Sequence, residues 1–472
     1  MEYRTEKDTL GEVKVPRDRY FGAQTQRAVE NFPVSNLRLQ SAFVRAQATI
    51  KWAAAKANMD AGALDRTIGE ALVKAAEELI AGRLRDEFVV DVFQAGAGTS
   101  QNMNMNEVLA NRAHEILGGR LGEATRVHPN DHANMSQSTN DTIHTAIHVA
   151  AVMEVRDRLL PAMARLERAL AHKAEAFEEV VKCGRTHMQD AVPLRLGQEF
   201  GAYASMLRLG RRRIEQATDS LRSLCIGGTA VGTGLNAPPG YRSNVIKYIN
   251  EATGEPFRSA ADLFEAMQNL DAVVEVAGAL RVVTVSLRKI AADLILLSSG
   301  PRAGLGELRL PAVQPGSSIM PGKINPVMAE MLSMVCFHAL GCDAAIAGAA
   351  QFGQLELNVM MPVVAYNLLQ EIDILTGGME AFTTRCVTGI EADEAACRRY
   401  AERSPALATA LSPHVGYHRA AELAMESLKR DALVRDLALE AKLMSEAKLN
   451  EVLDVRRMTG SQDATERSGG SD

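Results

Sequence analysis

The feature that most constrains the fold of this 472-residue chain is the helical periodicity of its middle, from about residue 141 to 395. In 259–299, apolar residues recur at three- and four-residue spacing. They are Leu280, Val283, Leu287, Ile290 and Leu294. Similar patterns fill 148–182, 197–225, 327–350 and 355–379. Polar residues cover only a narrow face of these helices, which predicts burial on more than one side, as in a bundle shared between subunits.

The composition favours the same architecture. Aromatic residues make up only 4% of the chain, so Ala, Leu, Met and Val must fill the core, which suits packed helices better than a β-sandwich. We therefore predict a mainly all-α protein with three domains. They are an N-terminal domain (1–140), a central bundle of long helices (141–395) and a small helical C-terminal domain (396–472), whose polar tail (458–472) is expected to be disordered.

Charge and cysteine usage exclude several classes of protein. The net charge of −6, from 52 basic and 58 acidic residues, does not indicate the basic surface that nucleic-acid binding requires. None of the six cysteines forms a CxxC pair, which indicates reduced thiols. The charged N-terminus resembles no signal peptide, and we find no apolar run as long as a membrane span. We expect a cytoplasmic protein that binds no membrane.

Three polar segments interrupt this apolar sequence, and we call them the polar islands. The first is AGAGTSQN (95–102), and the second is HPNDHANMSQSTND (128–141) with GRTHMQD (184–190) close behind. The third is QPGSSIMPGKINP (314–326). Hydroxyls, amides and backbone N–H groups are costly to bury unless they bind something. Each island alone is explained by a helix cap or a solvated turn, but together they suit a small dicarboxylate.

The third island has the chemistry of an anion site. A glycine-bounded loop (316–322) precedes Lys323, and a helix is predicted to start near Pro326. A helix N-terminus beside a lysine attracts anions. The loop is not a P-loop, because Ile324 follows the lysine where Ser or Thr is required.

Metal and dinucleotide sites are poorly supported. The pairs His128/His132 and His144/His148 have i,i+4 spacing, but no HExxH motif or third ligand accompanies them. GGTAVGTG (227–234) is predicted to be a tight loop, because no strand precedes it as a Rossmann motif requires. We expect no metal and no cofactor.

GSSIMPGKINP (316–326) resembles the signature loop of the fumarase/aspartase superfamily of lyases. The resemblance covers nearly the whole chain, from EKDTLGEVKVP and GAQTQRAVENFP through the islands to LSPHVGY (411–417), whereas the argininosuccinate and adenylosuccinate lyase branches fit less well. It implies an almost all-α, three-domain protomer in a homotetramer. Each active site would form where islands from three subunits converge.

The resemblance also implies roles for individual residues. Ser317 would be the general base, which needs backbone N–H groups to stabilise its alkoxide. One substrate carboxylate would be bound by Lys323, Asn325 and Thr186. The other carboxylate would be bound by Ser138, Thr139 and the backbone at Ser318. The leaving group would be positioned by Thr99, Asn140 and the catalytic His187. Glu330 would orient His187.

Two reactions remain open within this superfamily. GAGTS (96–100), with Ala97 where fumarases typically have Ser, and MSQSTND (135–141) resemble aspartase, as do ENFP, MQDAVP, PRAGLGE and ELNVMMPV. GGTAVGTG and NMNMNEVLANRA resemble fumarase, and His144 replaces the Pro usual in both. We predict aspartate ammonia-lyase, with class II fumarate hydratase as the alternative.

Overall fold

The computed structural model describes residues 2–123 and 125–460, and helices account for most of them. The helices are α1 (Ala23–Asn31), α2 (Ser41–Asp60), α3 (Arg66–Ile80), α4 (Thr99–Ile116), α5 (Thr139–Glu154), α6 (Leu160–Ala176), α7 (Leu196–Thr218), α8 (Tyr241–Thr253), α9 (Leu263–Gln268), α10 (Asp271–Leu297), α11 (Val327–Ala350), α12 (Met361–Arg385), α13 (Glu394–Arg403), α14 (Ser412–Val415), α15 (Tyr417–Arg430), α16 (Val434–Glu440) and α17 (Glu446–Val452). The mainly all-α prediction is confirmed.

The strands in the described residues form short two-stranded ladders. The antiparallel pairs are β1 (Tyr3–Asp8) with β2 (Gly11–Pro16), β3 (Val181–Thr186) with β4 (Gln189–Arg195), β7 (Leu308–Arg309) with β10 (Glu391–Ala392), and β8 (Gly353–Gln354) with β9 (Leu357–Asn358). β5 (Ser223–Leu224) pairs in parallel with β6 (Arg258–Ser259).

Most predicted helices are present, with corrected ends. The patterns in 197–225, 259–299 and 327–350 correspond to α7, α10 and α11. The helical prediction for 148–182 is wrong at its end, because α6 stops at Ala176 and β3 begins at Val181. In 355–379 the first residues form β9 instead, since the Asn358 side chain bonds Ala349, Ala350 and Met360 of the main chain and fixes a turn there.

The chain divides into two compact units built from separate segments. The first unit comprises 1–161, 210–284 and 335–376, and the second comprises 162–209, 285–334 and 377–472. The first unit contains a core cluster that includes Val44, Leu72 and Leu109. A second cluster, within 407–453 of the second unit, joins Leu411, Leu423 and Leu437. The three-domain boundaries stay a prediction, and most of the predicted disordered tail lies outside the described residues.

α11 corrects one expectation from the sequence. It is long and apolar enough to cross a membrane by length and composition, although we expected no such segment. Only 39% of its most apolar window is buried in the protomer, where Met334 and Phe337 are 64% and 59% exposed. One such helix is weak evidence for a membrane, because the core helix of a soluble protein passes the same test.

Candidate active site

The first polar island is a tight turn that leads into α4. Ala97 and Gly98 both adopt positive φ, at 62° and 82°, and the N–H of Ala97 donates to the carbonyl of Val359 at 2.7 Å. Ala97 is 5% exposed, whereas Thr99, the first residue of α4, is exposed. α4 begins within this island, and the polar Asn102, Asn104 and Asn106 are buried within the helix. Their amides bond other polar groups, which offsets the cost of burying them.

The second polar island caps α5 and contacts the first. Ser138 accepts from the N–H of Asn140 at 3.2 Å, and its own N–H donates to Asp141 at 2.9 Å, which forms a capping box. The amide of Asn102 donates to the Thr139 hydroxyl at 3.1 Å. The Asn140 amide donates to the carbonyl of Ala230 at 2.7 Å. The first unit thus joins both islands to the 227–234 loop.

Asp141 holds that loop in place, a function that the sequence analysis missed. Its buried carboxylate accepts the N–H groups of Gly227 and Thr229, each at 3.0 Å, besides that of Ser138. Burial raises the pKa of Asp141 to about 6, against these hydrogen bonds, which lower it. The available signal was the Ser-x-x-Asp spacing of 138–141, in which Asp takes the usual place of Glu in a capping box.

His187 lies at the tip of a β-hairpin. Thr186 pairs with Gln189, so His187 and Met188 form the two-residue turn between β3 and β4. Both have positive φ, 53° and 60°, as a type I′ turn requires, although neither is glycine or asparagine. Thr186 and His187 are exposed. A non-glycine residue held in this region stores strain, which is a common property of functional sites.

The third island closes on itself around Ser317. The Ser317 hydroxyl oxygen accepts the backbone N–H of Met320 at 2.9 Å and that of Ile319 at 3.3 Å. The N–H of Gly316 donates to the Lys323 carbonyl at 3.0 Å, and a side chain at 316 would collide with that carbonyl. Ser317 is half-buried. The loop therefore presents two N–H dipoles to one hydroxyl oxygen.

The remaining predicted residues flank this loop. The Asn325 amide donates to the Gly316 carbonyl at 2.5 Å, while Ser318 and Lys323 are exposed. α11 begins at Val327, as predicted from Pro326. Among the described residues, the side chains of His187, Lys323 and Glu330 have no hydrogen-bond or ion-pair partner. The contact of Glu330 with His187 stays a prediction.

The chain is similar to known proteins over nearly its whole length. A family model described as a lyase matches residues 11–341, and one described as the fumarase C C-terminus matches 407–460. An aspartate ammonia-lyase of Bacillus subtilis (strain 168) is 48% identical over 97% of this chain and 96% of the relative. A class II fumarate hydratase of Halobacterium salinarum is 52% identical over 97% of both chains.

A solved structure agrees with these relatives. A fumarate lyase:delta crystallin from Brucella melitensis is 46% identical, with a TM-score of 0.94 over 98% of this chain and 100% of that one. The family models, the relatives and the fold therefore agree, and the chain belongs to the fumarase/aspartase superfamily of lyases.

Proposed function

We propose that this lyase is an aspartate ammonia-lyase, which converts L-aspartate to fumarate and ammonia without a cofactor. The observation that carries this choice is Ala97, which is buried directly before Gly98 and Thr99 and has no hydroxyl. An ammonium group can leave as neutral ammonia without an added acid. Hydroxide leaves less readily and needs protonation or strong hydrogen bonding, which a hydroxyl at position 97 would help to supply.

Ser317 is the proposed base. The proton to be removed lies on a carbon next to a carboxylate and is weakly acidic, so its loss builds a second negative charge there. A free serine is too poor a base for this step. The N–H groups of Met320 and Ile319 at the Ser317 oxygen support the proposal, because donors already aimed at that atom stabilise its alkoxide.

Two groups of donors bind the dicarboxylate in this proposal. Lys323, Asn325 and Thr186 bind one carboxylate, and Ser138, Thr139 and the backbone at Ser318 bind the other. Thr99, Asn140 and His187 position the amino group, while Glu330 orients His187. The charge of exposed Lys323, at the start of the segment that leads into α11, supports its role as the main anion contact.

Fumarate hydratase is the second candidate. The GGTAVGTG loop (227–234) and the NMNMNEVLANRA segment of α4 favour it, since both resemble fumarases. The loop is tied to the second island through Asp141 and through the Asn140 amide, so its sequence bears on the site. The two candidates differ in the leaving group alone.

We propose further that the enzyme is a cytoplasmic homotetramer in which three subunits contribute to each active site. Met334 and Phe337 on α11 expose apolar surface that a neighbouring subunit would cover. Lys323 and Glu330, unpaired among the described residues, would meet partners on other copies. All six cysteines are buried, as in a protein whose thiols stay reduced, which supports a reducing compartment.

Substrate choice is the first prediction. We expect purified protein to convert L-aspartate to fumarate, followed by the rising absorbance of the double bond, and to use L-malate poorly. Ala97→Ser should weaken aspartate turnover, because its hydroxyl favours water, but should not convert the enzyme, since Thr139 and Met361 also differ from the usual fumarase pattern. Rapid dehydration of malate with no reaction of aspartate would establish the hydratase instead.

Assembly is the second prediction. Because each proposed site needs three chains, specific activity should fall on dilution through the concentration at which the tetramer dissociates. Light scattering and activity measured on the same samples test this. A fully active monomer is incompatible with the shared site.

A further inference from the structure

A buried ionic cluster in the second unit contacts strand β3 of the His187 hairpin. The Glu307 side chain is fully buried, and its two oxygens lie 3.0 and 2.9 Å from Nη1 of Arg185. The Lys182 ammonium lies 3.3 Å from Glu307 and donates to Glu199 at 2.8 Å. Lys182 and Arg185 both belong to β3, so Glu307 holds the hairpin through two cations.

The backbone of Glu307 is itself fixed on both sides. Its N–H donates to the carbonyl of Leu297 at the end of α10, at 2.9 Å. Its carbonyl accepts the N–H of Asp393, also at 2.9 Å, just before α13. The carboxylate is therefore a fixed point to which the hairpin is attached.

The strand is shaped to direct Arg185 toward this point. The register of β3 and β4 shifts between Cys183 and Arg185, and a side chain at Gly184 would come within 2.5 Å of the Val192 carbonyl. Such a bulge redirects the side chain that follows it. The Arg185 guanidinium also lies 5.4 Å from the ring centre of Tyr400 on α13.

We propose that Arg185 and Glu307 are positioning residues that set the direction of the hairpin tip and so place His187 for catalysis. This rests on the role proposed above for His187. Arg185 is two residues before His187, and Thr186 between them is another proposed substrate contact. A buried ion pair contributes little net stability relative to apolar packing. The Arg185–Glu307 pair would instead affect catalysis by fixing the orientation of the hairpin tip that carries His187.

The test is a double-mutant cycle with a matched control. Arg185→Lys keeps the charge, but its side chain is shorter and lacks the guanidinium plane that lies over the Tyr400 ring. It is expected to lower kcat about tenfold to hundredfold, with any rise in KM smaller than the fall in kcat, since small misplacements of a catalytic group carry such costs. Arg185→Lys/His187→Asn should be no slower than His187→Asn alone, because Arg185 acts through His187.

Arg195→Lys is the control. Arg195 is a buried arginine on the same hairpin, opposite Val181 at the end far from His187, and it pairs with Glu178. We expect this variant to keep its kcat even if its thermal stability falls. The positioning role is overturned if Arg185→Lys keeps at least half of the wild-type kcat, if Arg195→Lys loses as much, or if the losses from Arg185→Lys and His187→Asn multiply.

A failure of the proposed function can be distinguished from a failure of this positioning role. Should the wild type use malate and not aspartate, the same kcat ratios are measured with malate. Should it use neither, the ¹³C-methyl resonance of Met188, which lies beside His187 in the turn, decides. We expect the resonance to shift or broaden in Arg185→Lys and to stay unchanged in Arg195→Lys, and an unchanged spectrum in both overturns the proposal.

Discussion

Ser317→Ala is expected to lower kcat by about 10³-fold, within the range that a positioned general base contributes. The two N–H groups that now point at the Ser317 oxygen would have no alkoxide to stabilise. The loop should keep its shape, because the bonds from Gly316 to Lys323 and from Asn325 to Gly316 do not involve the hydroxyl. Steady-state kinetics with aspartate measure the loss, and circular dichroism and light scattering check fold and assembly.

Ser318→Ala is the matched control for this prediction. It removes a hydroxyl from the adjacent, exposed residue and retains the backbone N–H that we assign to substrate binding. We expect a far smaller change in kcat. Near wild-type turnover of a correctly assembled Ser317→Ala enzyme would remove Ser317 from the mechanism.

Asp141→Ala is expected to lower the free energy of unfolding by about 3–5 kcal/mol. The substitution leaves the N–H groups of Ser138, Gly227 and Thr229 without their acceptor, and each buried unpaired donor costs about 1–3 kcal/mol. Thermal unfolding measures the loss. Asp131→Ala removes an exposed carboxylate within the second island and should leave the melting temperature nearly unchanged. Equal melting temperatures for the two variants would contradict the anchoring role of Asp141.

The helices could be predicted because their signal is local. The spacing from Leu280 to Leu294 repeats within one helix, and all five apolar residues in that series are buried in α10. The loop before Pro326 was equally readable, since Gly316 and Lys323 mark a turn that closes within a few residues. The sequence could not show that Asn102, buried in the polar first turn of α4, reaches Thr139 of the next island, because that contact depends on how the helices pack.

The His187 hairpin, unlike the helices, could not be predicted from local sequence. Its turn residues, His and Met, lack the Asn-Gly signal by which two-residue hairpins are normally predicted. The apolar and charged residues of β3 also continue the helical composition of α6. The strand is held instead by long-range contacts, above all that of Arg185 with Glu307, which is 122 residues away in the sequence. Local propensity cannot predict a structure that depends on such a distant partner.

The exposed side of α11 also affects how the protein reaches its working form. A newly synthesised chain presents Met334 and Phe337 to water on the segment that is apolar enough to enter a bilayer. In the tetramer proposed above, correct association would compete with aggregation through the same surface. If the proposed assembly is required for activity, the yield of active enzyme recovered from denaturant is a kinetic quantity, set by the rate of association relative to the rate of aggregation of unfolded chains.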